Sequence, residues 1–134
     1  YDPFLSSQNE APKAPGMKYK HYAPDAPMRA FIGNPKDVAE AFSNVIREQD
    51  TKRGAFLVSQ ETYDLLKDSV HGEFHVYGHS GDAVALAHDF YKTLHHFNEC
   101  DVDYILAEGV VNTGLGVAVM NRMEKACAGH IIYL

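Results

Sequence analysis

Cysteine is scarce in this chain. Cys100 and Cys127 are the only two among 134 residues, and their separation matches no metal-binding spacing. That excludes a disulfide-stapled scaffold and leaves two reduced packing residues, with no structural disulfide expected. No stretch approaches the ~20 apolar residues of a membrane-spanning helix, and no charged start precedes an apolar run of the signal-peptide kind. The reading is a soluble cytoplasmic protein. Cations are also outnumbered: 12 Lys and Arg stand against 18 Asp and Glu, for a net charge of −6. A phosphate backbone binds basic patches, so direct contact with nucleic acid is not expected.

Motifs that announce chemistry are missing as well. The sequence after the first predicted strand is Gly33-Asn34-Pro35, without the Gly-x-Gly-x-x-Gly turn that lets backbone approach a pyrophosphate. No Gly-x-Ser-x-Gly elbow, phosphate-binding Gly-x-x-x-x-Gly-Lys-Ser/Thr loop or His-Glu-x-x-His helix occurs. With no nucleophile or paired acid and base, the chain offers no catalytic residue and is expected to be inactive by itself. No cofactor is expected within it.

What is present is an alternation of strand and helix signals. Short apolar runs at Met28 to Gly33, Gly54 to Ser59, Glu73 to Tyr77, Val102 to Ala107 and His130 to Tyr133 read as strands. Asn34-Pro35 supplies an N-cap and a first-turn proline for a helix to about Gln49, with Val38, Phe42, Val45 and Ile46 as its apolar stripe. Ser59 caps a short helix through Lys67. Ser80 with Asp82 opens a long helix to about Asn98, whose Leu86, Phe90, Leu94 and Phe97 share a face. Gly116 to Cys127 is the last helix, with Val117, Met120 and Met123 turned to the core. Strands separated by helices imply parallel pairing with helices on both faces. The fold class is therefore α/β: a Rossmann-like three-layer α/β/α sandwich on a mainly parallel five-stranded sheet, spanning residues 28–134.

Three features of this body are candidate sites. Gly114 and Gly116 lie between the fourth strand and the last helix, where free N–H groups could receive an anion, although glycines there more often serve close packing. Eight histidines raise a metal reading. His71, His75 and His79 fall on a strand, where residues four apart are about 13 Å from one another. His95 and Glu99 form a helical i, i+4 pair with His88 and His96 near, but without Cys or Asp partners to complete a site, so no metal is expected. Asn121 and Arg122 face outward from the last helix, either in an ordinary surface salt bridge or as contacts to a linker or a further domain.

The segment before this body has a different character. Pro15-Gly16-Met17-Lys18-Tyr19-Lys20-His21-Tyr22-Ala23-Pro24 concentrates aromatic, imidazole and ammonium groups in a stretch whose prolines resist helix. From Ala11 to Ala30 the chain carries Lys13, Lys18, Lys20 and Arg29 against Asp25, a local balance of +3. In an extended path Tyr19 and His21 share one face, with Lys18, Lys20 and Tyr22 on the other. Rings that stack on a base beside ammonium groups that pair with phosphate suit a nucleotide lid. Composition alone favours the plainer reading, a solvated linker whose tyrosines pack on the domain surface.

This decamer, followed by Asp25-Ala26-Pro27-Met28, resembles the Pro-Gly-Met-x-Tyr-x-His-Tyr-x-Pro linker of the two-domain threonylcarbamoyl-AMP synthases. The run Gly114-Leu115-Gly116-Val117-Ala118-Val119-Met120-Asn121-Arg122-Met123-Glu124-Lys125-Ala126 resembles the Gly-Leu-Gly-x-Ala-x-Met-Asn-Arg-Leu-x-Lys-Ala segment of the same family. The resemblance implies residues 1–27 as an interdomain linker and residues 28–134 as the C-terminal accessory domain. It also implies an N-terminal YrdC-type catalytic domain in cis, absent from this chain. The implied parent condenses ATP, handled with Mg, with L-threonine and bicarbonate into threonylcarbamoyl-adenylate for tRNA modification. Pro15, Gly16, Met17, Lys18, Tyr19, His21 and Tyr22 would form its substrate and nucleotide lid. Two other roles remain open: an independent nucleotide-binding regulatory module, and a structural or dimerising domain.

Overall fold

A computed structural model describes residues 23–134. Nine elements alternate through them: β1 (Met28–Ile32), α1 (Pro35–Gln49), β2 (Gly54–Val58), α2 (Gln60–Leu66), β3 (Glu73–Val76), α3 (Ala83–Glu99), β4 (Tyr104–Glu108), α4 (Gly116–Ala126) and β5 (Ile131–Tyr133). Caps set the first three helix starts. The Asn34 side chain accepts the Asp37 N–H at 2.9 Å, with Pro35 at the first helical position, and Ser59 Oγ accepts the Thr62 N–H at 3.2 Å. Each satisfies an amide that the helix cannot. Asp82 does the same for Ala85 at 3.0 Å. The long helix thus begins after Ser80, whose N–H is taken by the Glu61 carboxylate at 2.8 Å. Gly81, at φ +86°, also keeps the chain out of helix there.

The five strands form one sheet in the order β3-β2-β4-β1-β5, and every pairing is parallel. β4 is inserted between β1 and β2. Both faces of β2 and β4 are buried, which is why these runs lack polar alternation. One face packs Phe31, Phe56, Val58 and Leu106 on Val38, Phe42 and Val45 of α1 and Leu66 of α2. The other packs Ala30, Leu57, Ile105 and Ala107 on Leu86, Phe90, Leu94 and Phe97 of α3 and Val119, Met120 and Met123 of α4. The expected three layers are therefore present. Phe56 is the hub of the first face, with ring centroids 6.1 Å from Phe42, 5.0 Å from Phe74 and 6.1 Å from Tyr104. Emptying such a position costs about 3–5 kcal/mol.

Two expectations are corrected. Val117 does not face the core: it is 42% exposed, while Val119 is fully buried. α4 buries Gly116, Val119, Met120 and Met123, a stripe at 3.6-residue spacing that leaves position 117 on the outer side. β4 also begins two residues later than its apolar run. Asp103 and Arg53 are held together by two bonds of 2.7 Å, Asp103 N–H to the Arg53 carbonyl and Arg53 N–H to the Asp103 carboxylate, which keeps residues 101–103 in a turn. The strand ends on a buried acid, Glu108. Both cysteines are free thiols; Cys127 is buried in the core and Cys100 partly covered.

Candidate functional site

In parallel α/β sheets, ligand sites form at strand carboxyl ends where neighbouring strands send their connections to opposite faces. β2 leads into α2 on one face and β4 towards α4 on the other, and these two strands are neighbours. Their carboxyl ends hold Ser59 and Glu108. Oε1 of Glu108 accepts the Ser59 N–H at 2.8 Å, and Ser59, Thr62 and Glu108 are all buried. Burial pushes the Glu108 carboxyl up, against hydrogen bonds from Ser59 and Thr62 that lower it. Tyr77 lies in the same layer. Its hydroxyl is buried without a hydrogen-bond partner among the described residues, and burial followed by the charge of Glu108 pushes it up.

This cluster is sealed. Glu108 is 1% exposed, so it does not present an acid or base to a bound molecule; it ties the ends of two central strands together. Sequence reading missed it, and its one signal was an acid closing an otherwise apolar run. Further out, Glu61 accepts the Ser80 N–H and sits 3.1 Å from His79 Nδ1. Those hydrogen bonds hold its carboxyl below the usual range.

The glycine turn is beside this end of the sheet. Gly114 sits at φ +56°. The Gly116 N–H donates to the Thr113 carbonyl at 2.9 Å and the Val117 N–H to the Gly114 carbonyl at 3.3 Å, so two amides that an anion would need are engaged inside the turn. Gly116 is there for room: a Cβ on it would stand 2.1 Å from the Val111 carbonyl oxygen. Val84, Val111 and Leu115, all exposed, line a shallow groove of about 310 Å³ here.

Pro15, Gly16, Met17, Lys18, Tyr19, His21 and Tyr22 lie outside the described residues. The chain joins the body at the opposite, amino end of the sheet. The Asp25 N–H donates to Asn98 Oδ1 at 2.9 Å, and the Pro27 carbonyl accepts the Ile105 N–H at 2.9 Å. A groove of about 680 Å³ opens there, lined by Pro27, Arg29, Lys52, Asp103 and His130 among others. Asn121 is exposed on α4. The Arg122 guanidinium stands 5.9 Å from the ring centroid of Tyr91 on α3, a cation–π contact between helices.

Most histidines pair with carboxylates: His75 with Asp89 at 2.7 Å, His88 with Asp89 at 2.8 Å and His95 with Glu99 at 3.5 Å. The expectation that this surface lacks a cysteine partner is corrected by the fold. His96 Nε2 is 3.5 Å from Cys100 Sγ and 3.9 Å from Glu73 Oε1, because α3 lays its last turn over the start of β3. Desolvation and the charge of Glu73 push the Cys100 thiol up.

Residues 2–128 match the profile of a family described as threonylcarbamoyl-AMP synthase, C-terminal domain. The chain is 38% identical over 135 residues to the threonylcarbamoyl-AMP synthase of Bacillus subtilis, covering 98% of this chain and 36% of that protein. It is 40% identical to that of Pyrococcus abyssi, covering 90% of this chain and 33% of the relative. The chain therefore spans about a third of the length of these relatives. Among solved structures it is similar to P. abyssi Sua5 complexed with L-threonine, with a TM-score of 0.66, 34% identity and coverage of 94% of this chain and 35% of that one. It is also similar to the C-terminal Sua5 domain of a hypothetical Pyrococcus horikoshii protein, with a TM-score of 0.59, 28% identity and coverage of 84% of this chain and all of that one.

Proposed function

The chain belongs to the threonylcarbamoyl-AMP synthase C-terminal domain family, and from that membership we propose that it is the accessory body and lid strap of an enzyme that makes threonylcarbamoyl-adenylate. In this reading the chemistry is housed in an N-terminal catalytic domain in cis. That domain takes ATP with Mg, L-threonine and bicarbonate, and its product serves tRNA modification in the cytoplasm.

The observation that carries the reading is the division of labour within the chain. The body's one buried acid is closed to ligands, while the strap sets aromatic, imidazole and ammonium side chains in unbroken succession at Lys18, Tyr19, Lys20, His21 and Tyr22. A strap of that composition closes over a nucleotide: Tyr19 and Tyr22 stack or hydrogen-bond, His21 orients a polar group, and the lysines attract phosphate. Pro15, Gly16 and Met17 set its turn. Closure keeps water from a hydrolysable adenylate. The P. abyssi relative has also been solved as a variant with a histidine and a tyrosine replaced by alanine, and His21-Tyr22 is the one His-Tyr pair in this chain. Asn121 and Arg122 help hold the strap or the neighbouring domain. A freestanding nucleotide site at Gly114 and Gly116 is the weaker reading, since two of its amides are engaged.

The test is Tyr19→Ala with Tyr22→Ala in the two-domain parent. Misplaced lid groups should lower adenylate synthesis about 100-fold; undiminished synthesis refutes the lid.

A further inference from the structure

At the amino end of the sheet, far along the strands from Glu108, three side chains of metal-binding type converge from two elements. Glu73 opens edge strand β3; His96 and Cys100 belong to the last turn of α3 and its cap. One oxygen, one nitrogen and one sulfur lie within 4.8 Å of one another. We propose that Glu73, His96 and Cys100 form a site for one zinc ion, with water as the fourth ligand.

The spacing suits the ion. Zn–S of about 2.3 Å and Zn–N of about 2.0–2.1 Å at tetrahedral angles put S and N about 3.6 Å apart, and His96 Nε2 and Cys100 Sγ are 3.5 Å apart. Residues i and i+4 share a helix face, so the pair needs no backbone change. Glu73 Oε1 is 3.9 Å from His96 Nε2 and has to come only about 0.5 Å nearer to reach the O···N separation of about 3.4 Å that tetrahedral zinc sets. Its side chain is 45% exposed and that of His96 57%, so both turn without disturbing the core. The backbone beneath is fixed: the Cys100 N–H bonds to the His96 and Phe97 carbonyls, and Glu73 is paired in register with Ala55. Glu73 and Glu99 outweigh Arg53 in the field at the sulfur, which favours a cation. Thiolate, imidazole and carboxylate together select a borderline-soft ion such as Zn²⁺ over Mg²⁺ or Ca²⁺. On binding, the thiol proton leaves to solvent and a Zn–S bond forms. The ion would clip the edge strand to α3.

The test is titration of the 134-residue chain with Co²⁺ and then Zn²⁺. The expected result is one Co²⁺ per chain with a thiolate-to-cobalt charge-transfer band, displaced by Zn²⁺. Cys100→Ser should abolish the band, and His96→Ala should weaken binding at least ~10-fold, the loss that even an outer-shell change causes. His95→Ala, on the neighbouring pair, should leave affinity unchanged. Circular dichroism reports whether each variant folds. Absence of binding, binding without the band, or a band that survives Cys100→Ser overturns the site.

Discussion

Glu108 receives the Ser59 N–H at 2.8 Å, and this bond joins the carboxyl ends of β2 and β4 at the point where their connections part. Glu108→Ala leaves that buried donor unsatisfied and should destabilise the domain by about 1–3 kcal/mol in urea unfolding. The pH dependence has a definite sign. Burial raises the Glu108 carboxyl above its unfolded value, so its contribution to stability is fully present below the ordinary glutamate range and is lost as pH rises through the folded value. Glu108→Gln should therefore gain stability relative to the parent chain as pH increases across that window. A difference that is flat with pH would show that the carboxyl is not raised.

Gly116→Ala tests whether the glycine turn is a packing device. The added methyl would lie 2.1 Å from the Val111 carbonyl oxygen, and backbone cannot yield as a side-chain tip does. A loss of about 1–3 kcal/mol is expected from overpacking. Gly114→Ala should also destabilise, through its φ of +56° and not through a clash, since nothing lies within 4 Å of its would-be Cβ. Equal stability of the Gly116 variant and the parent chain would return the turn to other uses.

Asp89 receives hydrogen bonds from His75 at 2.7 Å and His88 at 2.8 Å. Desolvation acts upward on its carboxyl, but the two histidines and Lys92 bring it below the usual range. That stability is present above the ordinary aspartate range and lost as pH falls through the folded value. Asp89→Asn should cost about 1 kcal/mol near neutral pH, and the difference should shrink in acid. A constant difference would show that the charge is not what His75 recognises.

The fold was legible because its signals are local. Proline after Asn34 and the Phe42/Val45 stripe belong to a single helix, and continuous apolar runs such as Ala55-Phe56-Leu57-Val58 mark strands buried on both faces. Features made by residues distant in sequence were not legible. Glu108 gains its meaning from Ser59, 49 positions away, and Cys100 meets Glu73 only because α3 folds back over β3. Val117 was misplaced because an apolar residue in a first helical turn carries no mark of which way the helix will roll.

The strap reading makes its sharpest demand at Asn98, which holds Asp25, three residues after Tyr22. Asn98 Oδ1 accepts the Asp25 N–H at 2.9 Å in an exposed setting, so Asn98→Ala should alter fold stability by no more than about 0.5 kcal/mol. In the two-domain parent the same change loosens the anchor of the lid. An exposed hydrogen bond of about 0.5 kcal/mol corresponds to about twofold, and kcat/KM for adenylate synthesis should fall by that factor. Asn98→Asp keeps the acceptor and should restore the rate. If the alanine variant keeps full synthesis while its stability is unchanged, the body does not tension the strap, and the lid would have to close without it.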